Sequence, residues 1–181
     1  MTDLIYGSAA LEDNVFVTEF ENYRFPNDQF RHADPIRLAW IYIRRYEYEV
    51  AEERMRQSIH GFARNLGAEH KYHETITILW MRLVKTAVHL SSRIDNFADF
   101  ARAHAWLLDK GAIFEFHSRG LVMSDTARNV WVEPDLKSIL VPQTRITWSD
   151  VQRVHQSIDL PNQTAKEDGR DVTRLQAESS S

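Results

Sequence analysis

Histidine is the residue in this sequence with the widest chemical reach, because an imidazole can be an acid, a base or a metal ligand near neutral pH. The chain has eight histidines and no cysteine. Thiolate nucleophiles, disulfides and cysteine-containing zinc sites are therefore excluded, and any metal would have to be held by His, Asp or Glu. The function then depends on which histidines the fold turns inwards.

Two histidines fall on apolar helix faces when helical periodicity is applied. In the segment KYHETITILW, His73 lies near the middle of the apolar arc, and Thr77 follows one turn later on the same side. His104 lies on the apolar face of the next predicted helix. Two helices are thus expected to present an imidazole to the core.

Two further histidines lie beside predicted helix ends. His32 precedes Asp34, which is predicted to cap a helix with Pro35 at its first position. The partial positive charge of a helix N-terminus favours a neutral imidazole there. His117 follows an aromatic stretch after the fourth predicted helix. The candidate site histidines are therefore His32, His73, His104 and His117.

These histidines could hold a metal ion. If His32, His73 and His104 converged inside a helical bundle, they could bind a divalent cation and leave positions for substrate or water. The sequence has no HExxH motif and no paired ExxH motif of the kind found in di-iron carboxylate proteins. The metal site is therefore a hypothesis that rests on convergence alone.

Acid–base chemistry without a metal is the second hypothesis, and a structural role is the third. His73 could act as a general acid or base, assisted by Thr77 or Tyr72. His32 or Asp34 would then lie at the mouth of the pocket. Alternatively, each buried histidine is neutral and its hydrogen bonds are satisfied by a hydroxyl or a carbonyl.

Other motifs of catalysis are missing from the sequence. It contains no Walker A loop, no GxGxxG and no GxSxG, which counts against nucleotide hydrolysis, dinucleotide redox chemistry and serine hydrolysis. Arg128 could bind a carboxylate or phosphate, although pairing with the nearby Asp125 or Glu133 is the interpretation that the sequence favours.

The elements that must position these residues form an all-α, antiparallel helical bundle of about four main helices. The first begins at Asp34 or Pro35, and the second ends at Gly67. The third is predicted over residues 71–90, and the fourth runs from residue 95 or 96 to about residue 110. A turn around Phe114 and a short helix capped by Ser124 are expected to close one end.

The bundle is predicted to occupy residues 31–158 of a single domain. Residues 1–30 show no sustained helical period and are expected to form an irregular arm. Residues 159–181 are polar and nearly free of large hydrophobes, which predicts a disordered tail. A further helix capped by Ser149 could precede the tail.

Charge and hydropathy limit the partners and the compartment. The net charge is −4, and 22 basic residues are interspersed with 26 acidic ones, so no basic face for nucleic acid is expected. The acidic N-terminus has no signal-peptide pattern, and no apolar run is long enough to span a membrane. These features predict a cytoplasmic protein without a membrane partner, and they leave homo-oligomerisation open.

Three segments, FRHADPIRLAWIYIRRY, KYHETIT and SDTARNVWVEPDL, are similar to those of an uncharacterised, mainly bacterial family of helical proteins. That family has a Phe-x-His-Ala-Asp-His opening and a Lys-Tyr-His-x-Thr segment. The resemblance covers residues 30–136 and implies no particular reaction. It supports one set of candidate residues: His32, Asp34, Tyr72, His73 and Thr77. Where the family has its second opening histidine, this chain has Pro35, which puts an activity here in question if that histidine is functional in relatives.

The leading hypothesis from the sequence is a helical protein with a histidine-lined internal pocket that binds, and could transform, a small organic molecule. His73 would be the acid–base group or metal ligand at its centre. The alternative is a non-catalytic module for ligand binding or protein interaction, in which the histidines are structural. The sequence does not decide whether the protein is an enzyme, nor which cofactor it would use.

Overall fold

The computed structural model of the protein describes Ser8 and residues 11–139. All of them belong to one compact unit, which covers residues 1–143. The predicted tail and the helix predicted from Ser149 lie outside the described residues.

The described part of the chain forms an all-α, antiparallel helical bundle, and residues 11–139 include no β-strand. The α-helices are α1 (Asp13–Glu21), α2 (Ala33–Arg45), α3 (Tyr48–Asn65), α4 (Glu74–Leu90), α5 (Phe97–Ala103), α6 (Arg119–Val122) and α7 (Asp125–Asn129). Shorter 3₁₀ helices lie at Asn27–Gln29, Glu69–Lys71, Ala105–Leu108 and Lys110–Glu115. Within this region no helix is both long and apolar enough to cross a membrane. The predicted fold class is confirmed.

The core lies between α2, α3 and α4, which pack against one another. Helix α2 is buried around most of its circumference, because its apolar residues leave only a narrow polar edge. Trp40 of α2 and Trp80 of α4 are both in the core, whereas Trp106 is 44% exposed.

Helix α3 ends at the glycine that the sequence predicted. Gly67 has φ of 64°, a left-handed conformation that costs little without a Cβ atom. The Ala68 amide donates to the Ala63 carbonyl at 2.9 Å, and the Gly67 amide donates to the Arg64 carbonyl at 3.0 Å. This pair of bonds is the Schellman arrangement, which stops α3 and turns the chain back along it.

The segment predicted to be an irregular arm instead contains α1. Phe16 and Phe20 lie one turn apart, and both are fully buried. The Phe20 ring stacks on Phe62 of α3 with centroids 4.8 Å apart. A helix of nine residues is not stable by itself in water, so α1 depends on this tertiary packing, which a short sequence window does not reveal.

The fourth predicted helix is shorter than expected. Helix α5 begins after Asn96, whose side chain accepts a hydrogen bond from the Asp99 amide, in agreement with the predicted start. It ends at His104, which has φ of −123° and ψ of 47°, and two 3₁₀ helices replace the remainder. The predicted continuation to Lys110 is therefore wrong. The tighter turn places Leu107 in the core.

Candidate functional site

His73 is the residue that caps α4, and it is not an interior residue of that helix as predicted. Its Nδ1 accepts a hydrogen bond from the Ile76 amide at 3.3 Å. Its Nε2 lies 2.7 Å from the Val122 carbonyl oxygen. Because a carbonyl can only accept, Nε2 carries the hydrogen and Nδ1 has the lone pair. Both ring nitrogens are therefore engaged within the protein, and burial lowers the pKa of His73.

His32 and His104 make similar contacts elsewhere in the bundle. The Nε2–H group of His32 donates to the Leu107 carbonyl at 3.1 Å. His104 donates from Nε2 to the Ser91 hydroxyl at 3.0 Å, and that hydroxyl donates to the Ala87 carbonyl at 2.7 Å. Burial lowers the pKa of both imidazoles. Each histidine thus joins two segments that are distant in the sequence.

The structure does not bring His32, His73 and His104 together as a metal site. Among the residues that it describes, no three His, Asp or Glu side chains are grouped so that they could hold a metal ion. Each of the three Nε2 atoms also has its own, different partner. The metal hypothesis depended on convergence of these imidazoles, and it therefore has no support in the described residues.

His117, the fourth candidate histidine, follows the last 3₁₀ helix and is completely buried. Its Nε2–H donates to the Val132 carbonyl at 3.0 Å, and its ring contacts the edge of Trp131. Its Nδ1 has no hydrogen-bond partner among the described residues. His117 therefore joins the beginning of the segment 117–132 to its end.

Residues 117–132 are called the strap below, because several side chains tie them to the start of α4. The Thr75 hydroxyl donates to the Val130 carbonyl at 2.8 Å and accepts from the Val132 amide at 3.1 Å. Thr77, which was predicted to assist His73 in chemistry, instead donates to the His73 carbonyl at 2.9 Å. The threonine that reaches across to the strap is Thr75, which the sequence analysis missed.

Asp34 was predicted to cap α2 and to lie at the mouth of a pocket, but it is 1% exposed and lies inside the first turn. The N-cap residue is His32, whose side chain makes no capping bond. The Asp34 carboxylate accepts from the Arg31 amide at 2.6 Å and from the Ser8 amide at 3.1 Å. It therefore satisfies main-chain donors and ties Ser8 to the bundle.

Tyr72 is the one predicted site residue that reaches an open cleft. Its hydroxyl donates to Glu74 at 2.5 Å, and the other Glu74 oxygen accepts from Arg56 Nε at 2.6 Å. Burial raises the pKa of Tyr72, and the Glu74 hydrogen bond raises it further. The hydroxyl is therefore held neutral, and it is oriented by a carboxylate that already has a cation as partner.

The cleft beside Tyr72 has a volume of about 440 Å³. It is open to solvent, and its lining residues are His60, Glu69, His70, Tyr72, Arg128 and Asn129. The His60 ring lies against the Tyr72 ring with centroids 4.7 Å apart, and its Nε2 donates to Glu69 at 2.9 Å. This surface cleft is called the Arg128 cleft below. It differs from the internal pocket predicted from the sequence.

Arg128 is held in place by main-chain groups. Its Nη1 donates to the carbonyls of His70 at 2.8 Å and Tyr72 at 3.1 Å. The predicted pairing with Asp125 or Glu133 is absent, and no carboxylate in the described part of the chain lies within ion-pair distance of Arg128. A guanidinium group has five N–H donors, so Nε and Nη2 retain donors for a ligand.

Four lining residues of the cleft were not predicted from the sequence, because they converge through loop geometry: His60, Glu69, His70 and Asn129. The left-handed turn at Gly67 and the 3₁₀ helix Glu69–Lys71 bring Glu69 back to His60. The stop at Gly67 was the available signal, although it does not specify which side chains meet.

Comparison with known proteins found no matching family model, no matching curated protein and no matching solved structure. The function must therefore be argued from the site itself.

Proposed function

We propose that the protein is a non-catalytic module that binds a small anionic compound in the Arg128 cleft. The observation that carries this proposal is the Arg128 guanidinium, which two carbonyls fix in an open cleft without a carboxylate partner in the described region. A positioned guanidinium of this kind suits a carboxylate or phosphate group, because its planar donors match two oxygen atoms at once.

The histidines then have a structural role. His73 was the central group of the catalytic hypothesis, yet both of its ring nitrogens are hydrogen-bonded inside the protein. A general base needs a free lone pair that faces the substrate, and His73 Nδ1 uses its lone pair to cap α4. The ligand-binding alternative fits this arrangement better than acid–base chemistry at His73 does.

The other groups of the cleft shape its selectivity. Asn129 and His60 supply further polar contacts at its wall. The negative charge of Glu69 repels an anionic ligand, but its carboxylate already accepts a hydrogen bond from His60. The volume of about 440 Å³ lies within the ordinary range for small-molecule sites. The ligand is accordingly a small molecule, and its anionic group is a carboxylate or a phosphate.

The proposal can be tested by NMR titration of ¹⁵N-labelled protein with octanoate and, separately, with inorganic phosphate. Binding should shift the amide signals of residues 69–74 and 128–129. The Arg128→Lys variant retains a donor for the carbonyls but loses the planar fork, so its affinity should fall about tenfold while it stays folded. Whichever anion binds more tightly identifies the headgroup.

Arg93 provides the matched control. It follows the C-terminal end of α4, whereas the cleft lies at the N-terminal end, about 25 Å away along a helix of this length. The Arg93→Ala variant should bind as the wild type does. An equal loss of affinity in Arg128→Lys and Arg93→Ala would overturn the proposal. A wild-type protein that binds neither octanoate nor phosphate would overturn it as well.

The cytoplasmic location and the oligomeric state stay predictions from the sequence.

A further inference from the structure

A second cleft shares one lining residue with the Arg128 cleft. This second cleft has a volume of about 350 Å³ and is lined by Tyr23, Gln57, His60, Gly61 and Arg64. His60 lines both clefts. The two clefts therefore lie on either side of one residue, and a ligand that spanned both would have to cross His60.

Arg64 gives the second cleft its own cation. Arg64 is exposed at the last turn of α3, one turn after His60. In the described part of the chain it has no hydrogen-bonded or ion-paired side-chain partner, unlike Arg54 and Arg56 of the same helix. The two clefts together contain two arginines and one glutamate, in a chain whose net charge is −4. The lining of the two clefts taken together is thus more positive than the protein as a whole.

One residue in the wall of the second cleft, Tyr23, has a strained backbone conformation. Tyr23 has φ of 57°, and it is the one residue other than glycine with a positive φ in the described region. Its ring packs directly over Gly61, where an added Cβ atom would lie 2.2 Å from the tyrosine hydroxyl. A left-handed conformation is unfavourable for a bulky residue and is often found at functional sites. The fold therefore holds the Tyr23 ring in this wall at an energetic cost.

We infer that the ligand of the Arg128 cleft is a dianion with two separated anionic groups, one bound at Arg128 and the other at Arg64, and with its body across His60. This inference rests on the proposed function, because it extends the same site. The natural ligand class is accordingly a linear dicarboxylate or a compound with the same two-ended charge. A monoanion would occupy the Arg128 end alone.

The test compares acids of equal carbon length that have one or two carboxylates. Dissociation constants are measured by NMR titration for hexanoate against adipate and for octanoate against suberate. In the wild type, at least one dicarboxylate should bind about fivefold more tightly than its monocarboxylate partner, the gain expected for one exposed ion pair. Comparison of adipate with suberate shows which length spans the two arginines.

Two variants separate this inference from the proposed function. In Arg64→Ala, which removes an exposed side chain and should not affect folding, the advantage of the dicarboxylate should disappear while monocarboxylate binding is retained. In Arg128→Lys, both ligand types should weaken, and Arg93→Ala should change neither. If dicarboxylate and monocarboxylate bind equally and both need Arg128, the inference is wrong and the proposed function stands. If neither binds, both are wrong.

Discussion

His73 joins the start of α4 to Val122, with 2.7 Å between its Nε2 atom and the Val122 carbonyl oxygen. The same ring accepts the Ile76 amide through Nδ1. One side chain therefore closes a helix terminus and fastens the strap over it. These two bonds require the neutral imidazole, because a doubly protonated ring could not accept from the Ile76 amide.

Replacement of His73 should primarily destabilise the fold. His73→Ala removes the helix cap and leaves the buried Val122 carbonyl without its donor, for an expected loss of about 2–3 kcal/mol in the free energy of unfolding. His73→Asn keeps a capping acceptor, so its loss should be smaller by about 1 kcal/mol. Urea denaturation measures both losses. Unchanged stability together with lost ligand binding would instead indicate that His73 contacts the ligand.

Thr75 and Thr77 form a matched pair for testing the strap. Thr75→Val keeps the side-chain shape but removes the bonds to Val130 and Val132, with an expected cost of about 1–3 kcal/mol. Thr77→Val removes a bond to the His73 carbonyl, which still accepts from the Thr77 amide at 3.0 Å, and should therefore cost less. Hydrogen exchange at the Val132 amide should accelerate in the first variant alone. Equal acceleration in both would contradict the role given to Thr75.

The stability of the protein should fall as the pH decreases below about 6.5, before the carboxylates titrate. Burial lowers the pKa of His32, His73 and His104 in the folded state from the ordinary value of 6.5. The charge of Lys110 lowers the pKa of His32 further, and the charge of Arg128 lowers the pKa of His73 further. The carbonyl acceptors of the two imidazoles partly oppose this lowering.

The direction of this change in stability follows from proton binding. As the pH falls, the unfolded chain takes up protons before the folded protein does, so the free energy of unfolding decreases. The stabilisation is fully present above the unfolded pKa and is lost progressively below it. Urea denaturation between about pH 8 and pH 5 should show this decline. His104→Gln should make it shallower, and a flat profile in the wild type would contradict the prediction.

Replacement of Glu69 should strengthen ligand binding, whereas replacement of Arg128 should weaken it. Its carboxylate lies in the Arg128 cleft and repels an anion, even though His60 donates a hydrogen bond to it. Glu69→Gln keeps an acceptor for His60 and removes the charge, so octanoate or phosphate should bind about two- to fivefold more tightly. The dissociation constant is measured by NMR titration. Weaker binding would show that Glu69 contacts the ligand as an acceptor.

Much of the fold was predictable because helix periodicity and helix ends are local properties. The stop of α3 at Gly67, the start of α5 after Asn96 and the cap of α7 by Ser124 all agree with the sequence analysis. Helix α1 and the break at His104 were not predicted. Both depend on packing against distant residues, which overrides local preference in short segments.

The candidate site was less predictable than the fold. The sequence alone determined that the fold is all-α, that cysteine chemistry is excluded, and that His73 is turned towards the core, because composition and helical spacing are sufficient for those conclusions. Only the tertiary structure decided that His73 and His32 bond to distant partners, the carbonyls of Val122 and Leu107. It also decided that Arg128 meets His70 and Tyr72 at an open cleft. The physical reason is that these contacts join segments tens of residues apart, whose approach depends on how the helices pack and how the loops turn.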